Sequence, residues 1–359
     1  MPAVAVSTPG KLILIGEHAA VYGRPALVAA VDRRLTARLS QRLSPGVQLD
    51  LPQVGHREEL SWSDLLAYAR EVRERWERYA AEPGAAAFQA VRGGDPAHVV
   101  KVALGEAAEA LGEAGGPPLH LRIDSQLPIG SGFGSSAATA VAVVAGYLAF
   151  RGADAGPETV RRLALEVERR QHGMPSGVDG ATVFEGGVLW ARRTADGDLE
   201  SEPVEARSPL LAALRVYDSG APPEPTGAVV AAVRDRWQGD RAGLDRLLDG
   251  IEGATHALRA ELERERADPA AAVPLLREAE ARLEELGVVP PAVRELARRV
   301  EAEGGAAKIS GAGSLAGPAA GCLLVYHPDP GRVPTWPFLR RLSHLPVALG
   351  AAGFRLEAA

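Results

Sequence analysis

A glycine- and serine-rich segment, residues 130–136, stands directly before an apolar run of alanine and valine at residues 137–148. The run has the composition of a buried helix, so the segment is expected to form a loop that opens this helix. Backbone N–H groups at a helix start can bind a phosphate, and a serine hydroxyl in the first turn can ligate Mg²⁺ beside it. The alternative is a tight turn that packs a helix on a sheet, because the segment lacks the lysine of a P-loop.

Asp179 lies among turn-forming residues, 175–180, which would fix the backbone and aim one carboxylate. Such an aspartate commonly bonds to its own backbone, and this alternative stays open. Paired with Lys11, however, it would suit a phosphoryl transfer, which needs a positioned acceptor for a hydroxyl proton. Glu168 could complete a Mg²⁺ site, because that ion prefers hard oxygen ligands. The alternative for Glu168 is a surface carboxylate beside two neighbouring arginines.

Lysine is rare in this chain, since only Lys11, Lys101 and Lys308 stand among its 40 basic residues. Arginine is therefore the default cation, and a retained lysine indicates a site that needs a compact ammonium rather than a planar guanidinium. Lys11 and Lys308 both lie in glycine-containing motifs. Accidental placement of a rare residue is the alternative.

The segments that must position these residues alternate between strand and helix patterns. In the first half the patterns predict strands at 3–7, 12–15 and 27–39, helices at 62–80 and 96–114, a strand at 119–123, helices at 137–148 and 157–172, and strands at 181–184 and 187–191. A polar segment at 193–208 predicts a domain junction, which we place near residue 207.

The second half repeats this mixture of elements, with most helices before the last strands. The patterns predict a strand at 211–217, charged amphipathic helices between 226 and 303, a strand at 306–310, a glycine-rich loop at 311–321, a strand at 322–325, a short helix at 336–345 and a last strand near 354. Strands grouped apart from helices favour α+β domains.

Composition narrows the class of protein. With 359 residues and a net charge of −6, the chain has room for two domains and shows no basic surface for a nucleic acid. The single cysteine, Cys322, cannot form an internal disulfide, and the scattered histidines have no zinc-ligand spacing. No apolar run reaches the length of a membrane span, and the N-terminus lacks a basic leader. We therefore expect a cytoplasmic protein that acts on small molecules.

Three segments resemble, in order, the three motifs of the GHMP small-molecule kinases. They are PGKLILIGEHAAVYG at 9–23, the glycine loop with its flanks at 128–138, and KISGAG at 308–313. The first motif and HGMPSGVD at 172–179 look most like the mevalonate kinase branch. The resemblance spans the chain but is thin at 40–118 and at 230–300. It implies an α+β kinase of two domains, ribosomal-protein-S5-like at residues 1–207 and ferredoxin-like at 208–359, with ATP and substrate between them.

The resemblance also implies a role for each matching residue in ATP-dependent phosphorylation of the C5 hydroxyl of mevalonate. Asp179 would be the catalytic carboxylate, and Lys11 beside it would lower the proton affinity of the attacking hydroxyl. The other implied contacts are the ATP phosphates at Gly130, Gly132, Gly134, Ser135 and Ser136, Mg²⁺ at Ser136 and Glu168, and the substrate at Glu17, His18 and Thr226. Homodimers are common in the family, so a homodimer is possible here.

Two departures from the family pattern bear on specificity. Gly313 is followed by seven residues before Gly321, where the family has a compact run of glycines, and Gly180 stands where asparagine is common. The open alternatives are a kinase for another small alcohol, such as phosphomevalonate or a sugar, and a catalytically silent sensor of ATP or a metabolite. A nicotinamide-dependent oxidoreductase ranks far lower, because the glycine loop comes too late in the chain.

Overall fold

The computed structural model describes residues 3–128, 130–154 and 156–357, so residue 129 of the second motif and the terminal residues lie outside it. A mixed sheet of eight strands forms the first layer of this described part. Its strands are β1 (Val4–Ile15), β2 (Ala26–Gln41), β3 (Val47–Leu51), β4 (His56–Leu60), β5 (Leu119–Ser125), β6 (Val188–Arg193), β7 (Leu199–Pro203) and β12 (Arg355–Glu357). The strand order is β12-β1-β2-β5-β3-β4, while β6 pairs with β2 and β7 with β6. Only β3 and β5 pair in parallel among these strands.

The prediction of two separate strands at 3–7 and 12–15 is wrong, because residues 4–15 form one long strand. The register of β1 against β2 shifts between Pro9 and Gly10, which marks a β-bulge. Proline cannot donate a ladder hydrogen bond and is tolerated at a bulge. The turn-forming residues therefore bend the strand rather than end it, and Lys11 follows directly after the bend.

Within the described ranges, six helices cover the first sheet. They are α1 (Trp62–Ala81), α2 (Ala85–Arg92), α3 (His98–Ala110), α4 (Ser135–Phe150), α5 (Pro157–His172) and α6 (Val178–Glu185). Helix α4 is apolar on all sides and packs against β1 and β2 on one side and α3 and α5 on the other, which confirms the expected buried helix. Its N-terminus follows the glycine loop directly.

The expected strand at residues 181–184 is wrong, because these residues lie inside α6. Alanine, threonine, valine and phenylalanine in a short apolar run favour a strand by composition, but a run of four residues does not distinguish strand from helix. Gly177, with φ of +83°, precedes the helix, and the Thr182 hydroxyl donates to the carbonyl of Val178 at 2.9 Å. Packing of α6 on α4 and on β1 overrides the local preference.

A second, antiparallel sheet has the strand order β11-β8-β10-β9. Its strands are β8 (Arg215–Asp218), β9 (Ala306–Ser310), β10 (Cys322–Tyr326) and β11 (Ser343–Leu345), and its helices are α7 (Leu210–Ala213), α8 (Thr226–Arg236), α9 (Arg241–Glu263), α10 (Ala272–Leu286) and α11 (Pro291–Ala302). Helices α10 and α11 pack on β9. The expected strand at 211–217 is therefore shorter, since α7 takes its first part, and the expected helix at 336–345 is a 3₁₀ turn followed by β11.

The end of the described chain returns to the first sheet. Strand β12 pairs with β1, and the backbone N–H of Gly350 donates to the carbonyl of Ala30 at 2.8 Å. Phe354 stacks on Phe184 with ring centroids 5.3 Å apart. The α+β fold is thus confirmed, while a division of the chain at residue 207 stays a prediction.

None of the helices in the described part of the chain is long and apolar enough to span a lipid bilayer.

Candidate active site

A cavity of about 440 Å³ lies where elements of the first sheet meet elements of the second. The first layer contributes the end of β1, the glycine loop, the end of α5 and the start of α6. The second contributes residues 222–227 and both ends of the loop after β9. Every predicted site residue lines this cavity: Lys11, Glu17, His18, Gly130, Gly132, Gly134, Ser135, Ser136, Glu168, Asp179 and Thr226.

Lys11 and Asp179 form an ion pair in this cavity, with Lys11 Nζ 2.9 Å from Asp179 Oδ2. The lysine side chain is 5% exposed and the aspartate 34%, so the ammonium is buried while the carboxylate stays accessible from the cavity. Asp179 stands in the first turn of α6 rather than in a loop. The sequence placed these two residues together only as a hypothesis, and the bend in β1 and the start of α6 bring them together.

The glycine loop lies against Lys11. The backbone N–H of Lys11 donates to the carbonyl of Phe133 at 2.9 Å. Gly134 has φ of +68°, and a Cβ atom there would lie 2.8 Å from Lys11 Cγ and 2.9 Å from Cε. A side chain at this position would displace the lysine. The loop ends at the N-terminus of α4, a helix of 16 residues whose first backbone N–H groups have the polarity to bind a phosphate.

Ser136 and Glu168 offer oxygen ligands for a divalent cation. Glu168 is buried, and its Oε1 atom has no hydrogen-bond partner. Burial raises the pKa of Glu168 to about 8, the neighbouring Asp179 adds to this, and Lys11 opposes it. Such an unpaired buried carboxyl beside a second carboxylate and a hydroxyl fits a hard cation such as Mg²⁺, which would offset the negative charge.

His172, the last residue of α5, was not among the predicted site residues although it lies in the motif at 172–179. Its Nε2 lies 2.8 Å from the hydroxyl oxygen of Ser136. Burial lowers the pKa of His172 to about 4, so the imidazole is neutral at physiological pH. The signal in the sequence was its position at the end of a helix directly before the Asp179 motif.

Glu17 and His18 each keep one buried polar atom without a partner, Oε2 and Nδ1 respectively. His18 Nε2 lies 2.9 Å from the carbonyl of Ala312, which can only accept, so Nε2 carries the proton. Burial lowers the pKa of His18, which leaves Nδ1 as an acceptor. His18 also has φ of +59°, a strained value for a residue with a side chain. Both residues therefore present acceptors that suit a hydroxyl group.

The extended loop after Gly313 packs against the segment before α8. The Ser314 hydroxyl donates to Glu224 Oε2 at 2.7 Å, and the Ser314 backbone N–H donates to the carbonyl of Val288 at 2.9 Å. Gly311 and Gly321, near the two ends of the loop, remain at the cavity. Ser314 and Gly317 thus lie against Glu224 and Pro223, while Ala320 at the end of the insertion lines the cavity. Thr226 opens α8 beside them.

A second cavity of about 420 Å³ adjoins the first. The two share Arg92, Ser135, Ser136 and Gln171. The remaining lining includes apolar side chains of the first sheet and residues 92–100, such as Leu35, Leu51 and Ile123. An elongated ligand could therefore occupy both cavities, with its middle at the start of α4.

Residues 98–187 match the family described as GHMP kinases N terminal domain. A mevalonate kinase of Methanothermobacter thermautotrophicus is 28% identical over 313 residues, which cover 86% of this chain and 87% of that protein. A crystal structure of a mevalonate kinase superposes with a TM-score of 0.69 at 18% identity, covering 96% of this chain and 98% of that one. A phosphomevalonate kinase of Streptococcus pneumoniae reaches 0.68 at 16% identity, covering 97% and 100%.

Fold, motifs and cavity all agree with the match of residues 98–187, so this part of the chain is a GHMP kinase N-terminal domain and the whole chain is similar to kinases of that superfamily. Within that superfamily its sequence is most like the mevalonate kinases, as the relatives in several organisms show. The fold alone does not separate these from phosphomevalonate kinases, because both superpose equally well.

Proposed function

We propose that this protein transfers the γ-phosphoryl group of ATP to the C5 hydroxyl of mevalonate and so forms 5-phosphomevalonate. The observation that carries the proposal is the Lys11–Asp179 pair at a cavity that also contains the start of α4. The relative from Methanothermobacter thermautotrophicus, which is named mevalonate kinase, supports the choice of acceptor.

In this proposal Asp179 accepts the proton of the C5 hydroxyl while the oxygen attacks the γ-phosphorus. The bond from the γ-phosphorus to the β,γ-bridging oxygen breaks, and ADP leaves. Lys11 Nζ stabilises the negative charge that develops on the attacking oxygen. A carboxylate is a weak base toward an alcohol, so positioning and charge stabilisation supply most of the rate.

The ATP phosphates lie along the glycine loop, where Gly130, Gly132 and Gly134 let the backbone approach and where α4 begins. Ser136 and Glu168 would hold Mg²⁺. When bound, this ion neutralises charge on the phosphate oxygens during transfer. The nucleoside then occupies the second cavity, because that cavity adjoins the first at Ser135 and Ser136.

The acceptor lies at Glu17, His18 and Thr226. Glu17 Oε2 and His18 Nδ1 are acceptors without partners, which match the hydroxyl groups of mevalonate. Two observations favour mevalonate over phosphomevalonate. A phosphate acceptor is already ionised at neutral pH and needs no proton acceptor, so Asp179 would repel it. Among the described residues that line the cavity, the lysine and arginine side chains are Lys11, which is paired with Asp179, and Arg92, which adjoins the second cavity.

The test is ADP release by the purified protein with Mg-ATP and, in turn, mevalonate, phosphomevalonate, homoserine and galactose. We expect turnover with mevalonate. Asp179→Asn should keep the fold and lower kcat by about 10²- to 10⁴-fold, the usual contribution of a general base. Turnover with another acceptor alone would replace mevalonate as the substrate. ATP binding without turnover on any acceptor would favour the sensor, and near-normal activity of the variant would refute the role of Asp179.

A further inference from the structure

We propose that Lys308 is a positioning residue for the acceptor alcohol, because its ammonium holds the Glu17 carboxylate at the acceptor end of the cavity. The inference rests on the proposed function of the cavity and adds a residue from the second sheet to it. Lys308 itself does not line the cavity, so it acts through Glu17.

The first observation is a buried ion pair between the two sheets. Lys308 Nζ contacts Glu17 Oε1, and their side chains are 0% and 1% exposed. Lys308 lies in the middle of β9, whereas Glu17 follows the end of β1. The ammonium also donates to the carbonyl of Ile309 at 2.5 Å. The pair thus joins the second sheet to the acceptor end of the first.

A second contact fastens the same two strands. Ser310 is two residues beyond Lys308, so both side chains lie on one face of β9. The Ser310 hydroxyl donates to the carbonyl of Ile13 at 3.0 Å and accepts from the backbone N–H of Ile13 at 2.9 Å. Lys308 therefore has a fixed location relative to β1, and it fixes Glu17 in turn.

A further carboxyl group packs behind the lysine without competing for it. Glu280 of α10 is fully buried, and its Oε2 accepts from the backbone N–H of Ile309 at 3.0 Å. Burial raises the pKa of Glu280 to about 8, so this carboxyl is mainly protonated at neutral pH. Among the described residues, Glu17 is the one carboxylate that forms an ion pair with Lys308.

The ammonium decides what Glu17 can do for a ligand. Burial raises the pKa of Glu17, and the nearby Lys308 charge opposes this. Without Lys308, the pKa of Glu17 would rise further, and the buried carboxylate would lose its ion-pair partner. With Lys308 present, Glu17 Oε1 contacts the ammonium and Oε2 has no partner. Oε2 is therefore free to accept a hydrogen bond from a hydroxyl group of the substrate. A guanidinium would not replace the ammonium, because its planar fork needs more acceptors than one carboxylate oxygen and one carbonyl.

The experiment measures KM for mevalonate and for ATP in Lys308→Met and Lys308→Arg. The matched control is Lys101→Met, because Lys101 is also buried and pairs with two carboxylates, Glu58 and Asp95, far along the chain from the acceptor residues. We expect Lys308→Met to raise the mevalonate KM by roughly tenfold or more, as for loss of one partner of a buried pair. The ATP KM should change little. Lys101→Met should lower the melting temperature without raising the mevalonate KM.

Ligand-dependent melting provides a second measurement that needs no turnover. In Lys308→Met, ATP should still raise the melting temperature, whereas the increase caused by mevalonate should be lost. An unchanged mevalonate KM in folded Lys308→Met would overturn the inference, as would equal increases in Lys308→Met and Lys101→Met. A wild-type protein that does not turn over mevalonate would instead refute the proposed function.

If Lys308→Met does not fold, the double variant Glu17→Gln with Lys308→Met removes both charges and is expected to fold, since paired buried ions can be replaced together. Its mevalonate KM should equal that of Glu17→Gln alone, because Lys308 acts only through Glu17. A further increase from the second substitution would contradict that route.

Discussion

His172, a residue outside the expected set, contacts Ser136, which we propose as a ligand of Mg²⁺. Its neutral imidazole lies 2.8 Å from the Ser136 hydroxyl oxygen. If Nε2 accepts the hydroxyl proton, the oxygen lone pairs of Ser136 remain for a cation. Partners of this kind orient metal ligands and commonly affect metal affinity as strongly as activity.

Replacing His172 with alanine should therefore weaken the use of Mg²⁺. We expect the Mg²⁺ concentration for half-maximal activity to rise by about 10- to 100-fold. His172→Gln, which keeps a hydrogen-bonding group of similar reach, should recover part of the loss. Thermal melting with and without Mg-ATP provides a readout besides activity. An unchanged Mg²⁺ requirement in His172→Ala would exclude this role.

Glu280 should make the stability of the protein depend on pH. Its folded pKa is raised from 4.5 to about 8 by burial, so the folded state keeps a proton that the unfolded chain releases. The resulting stabilisation is fully present below about pH 4.5 and is lost as the pH rises through 8. Glu280→Gln cannot ionise and can still accept from Ile309. The difference in melting temperature between Glu280→Gln and wild type should grow in favour of the variant from pH 5 to pH 8.

The residues of the site were largely visible in the sequence because their chemistry is carried by short motifs. Lys11, Asp179 and the glycine loop belong to segments whose residue types suit phosphate binding and proton transfer. The partners of these residues were not visible. His172 at Ser136 and Lys308 at Glu17 are contacts across 36 and 291 positions, and no local pattern encodes such distances.

Among the elements, the glycine loop needs glycine both for its backbone conformation and for its contact with Lys11. Gly134 combines a positive φ with a close approach to Lys11. Gly152 has a similar φ of +70° but no atom within 4 Å of the place where a Cβ would be. Substitutions at the two positions can therefore be compared. Both would strain the backbone, but only a side chain at Gly134 would displace Lys11.

Gly134→Ala and Gly152→Ala should destabilise the fold by a similar backbone term, about 1–2 kcal/mol for a left-handed residue. Only Gly134→Ala should also push Lys11 away from Asp179 and lower kcat. Denaturant unfolding and kcat for both variants test this. Equal kcat in the two variants would show that the Lys11 contact is not important for turnover.

The strongly periodic elements were predictable, and the short apolar ones were not. Helix α1 matches its expected bounds within one residue, because amphipathic spacing over 20 residues is unambiguous. The prediction of a strand at residues 181–184 was wrong, because a helix and a buried strand share that composition. The predicted break between the strands at 3–7 and 12–15 was wrong for a different reason. The pairing of β1 with β2 is a long-range contact that keeps the turn-forming residues around Pro9 in one strand.

At the scale of the whole molecule, Arg34 fastens the returning chain end to the first sheet. Its guanidinium donates to the carbonyls of Ala352 and Gly353 at 2.8 and 2.7 Å, and to the carbonyl of Ser7 at 3.0 Å. Two backbone segments, at residue 7 and at residues 352–353, thus meet at one planar group, a use for which arginine is well suited.

Arg34→Met should lower the free energy of unfolding by about 2 kcal/mol or more, because several charge-assisted hydrogen bonds are lost. Arg38→Met, on the same strand, removes only an exposed pair with Asp124 and should cost less than about 1 kcal/mol. Denaturant unfolding measures both. A loss in Arg34→Met no larger than in Arg38→Met would show that the chain end is held by other contacts.

The α+β class followed from the sequence, but the return of the last strand did not. Periodicity and composition describe residues that are neighbours in the sequence. The pairing of β12 with β1 instead joins residues 355–357 to residues 5–7, which are far apart in the sequence. The three residues of β11, Ser343–Leu345, gave no sign that the chain would next leave the second sheet for the first one.

The pairing of β12 with β1 can form only at the end of synthesis, because the two strands lie at opposite ends of the described chain. Ser7 and Glu357, which contact each other across β1 and β12, are 350 positions apart. At about 5–20 residues per second of synthesis, roughly 20 to 70 seconds separate their translation. During that interval the outer edge of β1 has open backbone groups that another chain can pair with. The nascent protein should therefore be most prone to self-association before residues 355–357 emerge from the ribosome and pair with residues 5–7 of β1.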